Sequence, residues 1–268
     1  MNLSIYQVDA FTSTLFAGNP AAVVPLEAWL PDDLLQKIAA ENNLSETAYL
    51  VPAGESRWEL RWFTPTIEVP LCGHATLASA FVLAHILGAT AEVLTFATRV
   101  SGDLTVIREG KGFAMRLPRR QVLPSDMLEP VAVALGARPE EVLIVPAEAD
   151  DTAFAVFASE AAVRALRPDM RAVAALPVRN IIATGPGTDC DFVSRMFAPK
   201  AGIDEDPVTG SAHCSLVPYW AEKLGKTVFH ARQVSARGGE LQCTLEEDAV
   251  IVAGEAVLYL KGSIEVPG

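Results

Sequence analysis

Cysteine is scarce in this 268-residue chain: Cys72, Cys190, Cys214 and Cys243 are the only four, and no CxxC pair occurs among them. That spacing argues against a disulfide framework or a redox motif and leaves free thiols as the expectation. Basic residues are also few. With 21 Lys and Arg against 33 Asp and Glu, the formal charge is −12, so no basic face is expected for nucleic acid or an anionic membrane. Long apolar runs are missing: the longest, Leu77 to Ala89, is interrupted by His85 and is too short to span a bilayer. Met1 to Gly18 lacks a basic stretch followed by an apolar core, and the chain reads as cytoplasmic. There is no Walker lysine, GxSxG elbow or HExxH, and Gly185-Pro186-Gly187 lacks GxGxxG spacing and reads as a turn. Cys72, His74, His213 and Cys214 make an awkward zinc set, because neighbours such as 213 and 214 on a helix point about 100° apart. No motif asks for a metal or an organic cofactor.

What is present is a repeat. Arg61-Trp62-Phe63-Thr64-Pro65 followed by Cys72-Gly73-His74-Ala75 is echoed by Arg195-Met196-Phe197-Ala198-Pro199 followed by Thr209-Gly210-Ser211-Ala212. Each inner glycine is followed fifteen residues later by a second one, Gly73 by Gly88 and Gly210 by Gly225. Two copies imply two similar lobes, and a cleft between such lobes is where a small-molecule site is expected. A helix opening at a glycine turn exposes N–H groups at its positive dipole end, which suits a carboxylate or phosphate. The expected ligand is therefore a small anion.

Half of the residues are apolar, enough for one large or two medium cores. Short runs rich in Val, Ile, Phe and Thr predict many strands, among them 5–11, 21–25, 46–51, 58–63, 93–97, 180–184, 192–197 and 255–260. Helices are expected over 32–41, 73–87, 127–135, 160–166 and 210–224, the last containing Pro218. Ala75 to Leu87 is apolar on every face, with only Thr76, Ser79 and His85 dissenting, so it is expected to be buried all round, with His85 a core histidine. The resulting fold class is α+β: two pseudo-symmetric lobes, each a curled, mostly antiparallel sheet or barrel around a central helix. The first lobe is expected over 1–118, completed by the terminal strand 256–268, and the second over 119–255.

Five pieces in order carry a resemblance across nearly the whole chain. They are Asp9-Ala10-Phe11 with Phe16-Ala17-Gly18-Asn19-Pro20, then Ser45-Glu46-Thr47-Ala48, Arg61 to Pro65, Cys72 to Thr76, and Asp204 to Ala212. The set is similar to the phenazine-biosynthesis PhzF-type isomerase family. The resemblance implies a diaminopimelate-epimerase-like fold, a homodimer, and isomerisation of trans-2,3-dihydro-3-hydroxyanthranilate as the family reaction. It implies Glu46 as general acid/base, His74, Asp206 and Ser211 as polar companions, and Gly73 and Gly210 with the amides that follow them as the substrate-carboxylate site. At the mouth of an apolar strand, Glu46 would be partly desolvated and placed for proton shuttling. The second lobe has Arg179 and Asn180 where such a carboxylate would stand, so a one-base proton shift fits better than a symmetric exchange. Diaminopimelate epimerase uses two opposed thiols; here Cys72 precedes one turn but Thr209 the other, which disfavours a two-thiol racemase. Cys72 is then a packing residue, a wall of the cleft or a mild nucleophile. Asn19 either lines the cleft or fixes a turn. Ser211 is either a site hydroxyl or a helix cap, and Asp204 and Glu205 read as charge complementing a helix dipole. An amino-acid epimerase of the same fold and a non-catalytic protein binding an anionic metabolite are the alternatives.

Overall fold

The computed structural model describes residues 1–147 and 151–267. The chain divides into two compact units, Met1–Arg116 with Ala253–Gly268, and Leu117–Val252. Gly268, the end of the expected terminal strand, lies outside the described residues. The strands are β1 (Asn2–Ala10), β2 (Asn19–Pro25), β3 (Glu46–Gly54), β4 (Arg57–Phe63), β5 (Glu68–Val69), β6 (Val93–Ala97), β7 (Asp103–Glu109), β8 (Gly112–Pro118), β9 (Leu123–Pro124), β10 (Glu141–Val145), β11 (Thr152–Val156), β12 (Asn180–Pro186), β13 (Phe192–Ala198), β14 (Ile203–Asp206), β15 (Val228–Gln233), β16 (Gly239–Leu245), β17 (Ala249–Gly254) and β18 (Ala256–Glu265). The helices are α1 (Asp32–Asn42), α2 (Gly73–His85), α3 (Leu128–Leu135), α4 (Glu160–Ala165), α5 (Met170–Ala175) and α6 (His213–Leu224).

The two units repeat one strand order. In unit 1, β2 runs parallel to β3, β3 antiparallel to β4, β4 antiparallel to β5 and parallel to β6, and β6 antiparallel to β7. In unit 2, the same relations link β11 to β12, β12 to β13, β13 to β14 and β15, and β15 to β16. The register repeats as well. Thr47 faces Phe63 and Phe63 faces Glu68, while Ile181 faces Phe197 and Phe197 faces Glu205. Glu46 and Asn180 therefore open equivalent strands, and Gly73 and Gly210 follow equivalent ones.

Each repeat buries one helix. In α2, every residue from His74 to Ala80 is buried, as are Val82 and Leu83. Fully buried aliphatic side chains such as Leu77 and Leu83 contribute about 1.5–3 kcal/mol each, which fixes the helix against β1, β2 and β3. In α6, Trp220 stacks on Phe192 with ring centroids 5.8 Å apart and donates its indole N–H to Thr184 Oγ1 at 3.0 Å.

Several elements differ from expectation. The helix after Gly73 ends at His85, two residues early, because the N–H groups of Ile86 and Leu87 both turn back to the Val82 carbonyl and Gly88 takes a left-handed φ of 76°. Being on that last turn, His85 is exposed, its ring 4.8 Å from Phe81, and is not a core histidine. The helix after Gly210 does not begin there: a 3₁₀ turn covers Gly210–Ala212 and the α-helix starts at His213. The terminal strand continues to Glu265 because β1 offers partners along its whole length.

Gly18 closes the loop that delivers Asn19 to β2. Its φ is +66°, and a Cβ there would lie 2.3 Å from the Ala10 carbonyl oxygen. Gly18→Ala is expected to cost about 2 kcal/mol or more, since the left-handed conformation alone costs an L-residue 1–2 kcal/mol. A urea midpoint unchanged by the substitution would contradict this.

Candidate active site

Glu46 is the first residue of β3, and Cys72, Gly73 and His74 form the turn that opens α2. The earliest helical bond runs from the Thr76 N–H to the Cys72 carbonyl at 3.2 Å, so the N–H groups of Gly73, His74 and Ala75 precede the ladder. The Thr76 hydroxyl also donates to that carbonyl, at 2.6 Å, which secures the turn.

Within unit 1 the turn and strand bring four predicted residues together. His74 Nε2 lies 3.1 Å from Glu46 Oε2, with the two side chains 6% and 13% exposed. On the other side of the ring, Nδ1 is 3.2 Å from the Asn19 amide and 3.4 Å from Cys72 Sγ. Asn19 and Cys72 are both buried. Glu46 Oε2 and His74 Nε2 are at ion-pair distance, yet neither has an aligned hydrogen bond among the described residues. These are two buried polar atoms at one spot, ready to engage a third group.

Burial pushes the Cys72 thiol up to about 11, and the Glu46 charge adds to the effect, so the sulfur keeps its proton at neutral pH. Burial works against charging His74, but the facing Glu46 carboxylate works the other way and the ring is held above its ordinary 6.5. The result is a charged imidazolium against a carboxylate beside an unreactive thiol. Cys72 as a mild nucleophile is disfavoured on this ground. Ligand atoms of Glu46, Cys72 and His74 all lie within 4.8 Å of one another, close enough to hold a metal ion. However, Cys72 and Glu46 approach different nitrogens of the imidazole, whereas a single ion takes one of them.

In unit 2, Asp206 ends β14, and its Oδ2 accepts the Thr209 hydroxyl at 2.5 Å. Gln233 fastens the same loop: its Oε1 accepts the Thr209 N–H at 2.8 Å and its Nε2 donates to the Asp206 carbonyl at 2.7 Å. Gly210 is buried, and Ser211 is half-buried as the second residue of the 3₁₀ turn, not its cap. His213 donates Nδ1–H to the Thr209 carbonyl at 2.9 Å, the role Thr76 plays in unit 1.

Sequence reasoning named Arg61, Arg195 and Glu205 without their partners and passed over Glu68; the side-chain hydrogen bonds join them. Arg61 makes a bidentate pair with Glu68, at 2.8 and 2.7 Å, and Arg195 does the same with Glu205, at 2.7 and 2.8 Å. Glu205 is thus half of an ion pair and not a charge serving a helix dipole. The signal was legible: Glu68-Val69-Pro70-Leu71-Cys72-Gly73-His74-Ala75 and Glu205-Asp206-Pro207-Val208-Thr209-Gly210-Ser211-Ala212 share Glu, Pro, Gly and Ala at identical spacing.

The model of the phenazine biosynthesis-like protein family, PhzC-PhzF, matches residues 8–262. The chain belongs to that family. A relative from Pseudomonas aeruginosa named as an uncharacterized isomerase is 52% identical, with 99% of this chain and all of the relative covered. The crystal structure of a phenazine biosynthesis PhzF-family protein from Enterococcus faecalis superposes with a TM-score of 0.95 at 43% identity, over 99% of this chain and 100% of that one. A probable proline racemase from Agrobacterium radiobacter shares the fold at a TM-score of 0.63 and 11% identity, over 99% of this chain and 93% of that one. The fold is the diaminopimelate-epimerase-like one expected for this family. Among the described residues no helix is long and apolar enough to cross a membrane.

Proposed function

We propose that this family member is an isomerase that shifts a proton within a small carboxylate-bearing substrate, with Glu46 taking the proton from one carbon and returning it at another. The observation that carries the reading is the buried Glu46–His74 pair at 3.1 Å, both atoms lacking an aligned partner. Its isomerase-named relatives add support. The His74 ring stands 3.1 Å from the Glu46 carboxylate, and its positive charge favours the anionic species that forms when carbon loses its proton. The N–H groups of Gly73 and His74 offer the substrate carboxylate a site beside that pair. Asp206, Ser211 and Gly210 serve the same reaction in this reading, and acid–base groups alone suffice for it.

The substrate class closest to the family reaction is a dihydro-hydroxyanthranilate, whose ring carbons carry the mobile proton. Cytoplasmic residence and a homodimer go with this proposal.

Incubating the enzyme with dihydro-hydroxyanthranilate-type compounds and with amino acids, and following isomer and enantiomer composition, tests the reading. In it, Cys72→Ser keeps turnover within about tenfold, whereas losing a thiol that acts as acid or base would cost roughly 10²-fold or more. Loss of an epimerisation activity in Cys72→Ser would favour an amino-acid epimerase instead.

A further inference from the structure

The arginine–glutamate pairs occupy one place in both repeats. Glu68 and Glu205 each stand four residues before the residue preceding the glycine, and each pairs with an arginine on the adjoining strand. Each guanidinium lies over an aromatic ring of its own strand, Arg61 over Phe63 at 5.0 Å and Arg195 over Phe197 at 4.9 Å. The third nitrogen of each reaches into the crossover between the parallel strands. Arg61 donates to Asp32, the first residue of α1, at 2.9 Å, and Arg195 donates to the Leu166 carbonyl, the C-cap of α4, at 3.0 Å.

The acid–base residues did not survive duplication in this way. Glu46, Cys72 and His74 correspond to Asn180, Thr209 and Ser211. A pair kept where the reactive groups diverged serves something the two turns share. We infer that Arg61–Glu68 and Arg195–Glu205 are positioning clamps, each fixing the short strand that leads into its glycine turn so that the groups on that turn stand where the chemistry needs them.

The planar fork matters in this role. An arginine holds a carboxylate at two points and so fixes its orientation, whereas a lysine holds it as a point charge. Arg61→Lys therefore keeps the charge but loosens β5 and, four residues on, Cys72, Gly73 and His74. The inference rests on the reading of Glu46 and His74 as the working pair, but its test uses no substrate, so the two can fail separately.

The experiment is NMR titration of ¹³C-labelled histidine rings in the full-length protein, well below the melting temperature, with His74→Gln and His213→Thr used for assignment. Arg61→Lys is expected to move the His74 midpoint toward its ordinary value by about one pH unit or more, while the His213 signal stays in place. Arg195→Lys is expected to shift the His213 signal and spare His74, because His213 is bonded to the Thr209 carbonyl of the unit 2 turn. Glu68→Gln, which keeps the arginine, should act on His74 in the same direction as Arg61→Lys and covers the case in which the lysine variant does not fold. Val106→Ala, a buried truncation on β7, supplies destabilisation without touching the clamp. A His74 titration unchanged in both clamp variants, or moved equally by Val106→Ala, overturns the inference.

Discussion

Glu46→Gln is expected to lower turnover by roughly 10²–10⁴-fold, the usual contribution of a positioned acid or base, while leaving the fold and ligand binding largely intact. The amide matches the carboxylate in size and can still sit at the start of β3, where backbone pairing with Ala21 holds position 46. What it loses is the capacity to take a proton. Its oxygen also no longer offers His74 a negative charge, so the imidazolium loses the partner 3.1 Å away and with it part of the reason to stay charged. The variant should melt within a few degrees of the wild type. Steady-state kinetics beside a thermal scan separate the two effects, and unchanged kcat with an intact fold would remove Glu46 from the role of base.

Acid should destabilise the protein through His213. The ring is fully buried, which depresses it to about 4, although its bond to the Thr209 carbonyl works the other way. In the unfolded chain the same ring titrates near 6.5. Between those values the unfolded state binds a proton that the folded state refuses, so stability falls as pH drops from about 6.5 toward 4 and this contribution levels off below 4. The linkage amounts to about 3 kcal/mol by pH 4. His213→Thr copies the residue unit 1 uses at this place, Thr76, whose hydroxyl bonds the equivalent carbonyl. The variant loses packing against Phe192 and starts less stable at pH 7, but its stability should fall less steeply with acid. Urea midpoints at pH 7 and 4.5 check this, and parallel slopes for the two proteins would contradict it.

The duplication was legible because it is written in local sequence, and it carried the fold class with it. Apolar residues on every face of α2 announced a central helix. The repeat set Arg179 and Asn180 against Glu46, and the register selects Asn180, which opens β12 beside β11 as Glu46 opens β3 beside β2. What the sequence left unread are contacts made over distance and details set by helix ends. Asn19 and His74 are 55 residues apart, and no periodicity relates them. Glu205 hid for another reason: a charge ahead of a helix fits a dipole argument, and only the folded side chains show that Glu68 and Glu205 each hold an arginine at two points. Likewise, β5 and β14 are too short to show alternation. Gly210 looked like a helix start, as Gly73 is, but the ladder there is deferred by a 3₁₀ turn.

Solvent deuterium uptake into the substrate pool, followed by mass spectrometry in D₂O over many turnovers, tests the central claim most directly. A carboxylate that removes a proton from carbon and is itself partly open to solvent will exchange that proton with the medium between turnovers. The wild type is predicted to label a carboxylate-bearing compound at the carbons between which the proton moves, and Glu46→Gln to do so at least about 10²-fold more slowly. Equal labelling by the two proteins would contradict the assignment of Glu46 as the group that moves the proton.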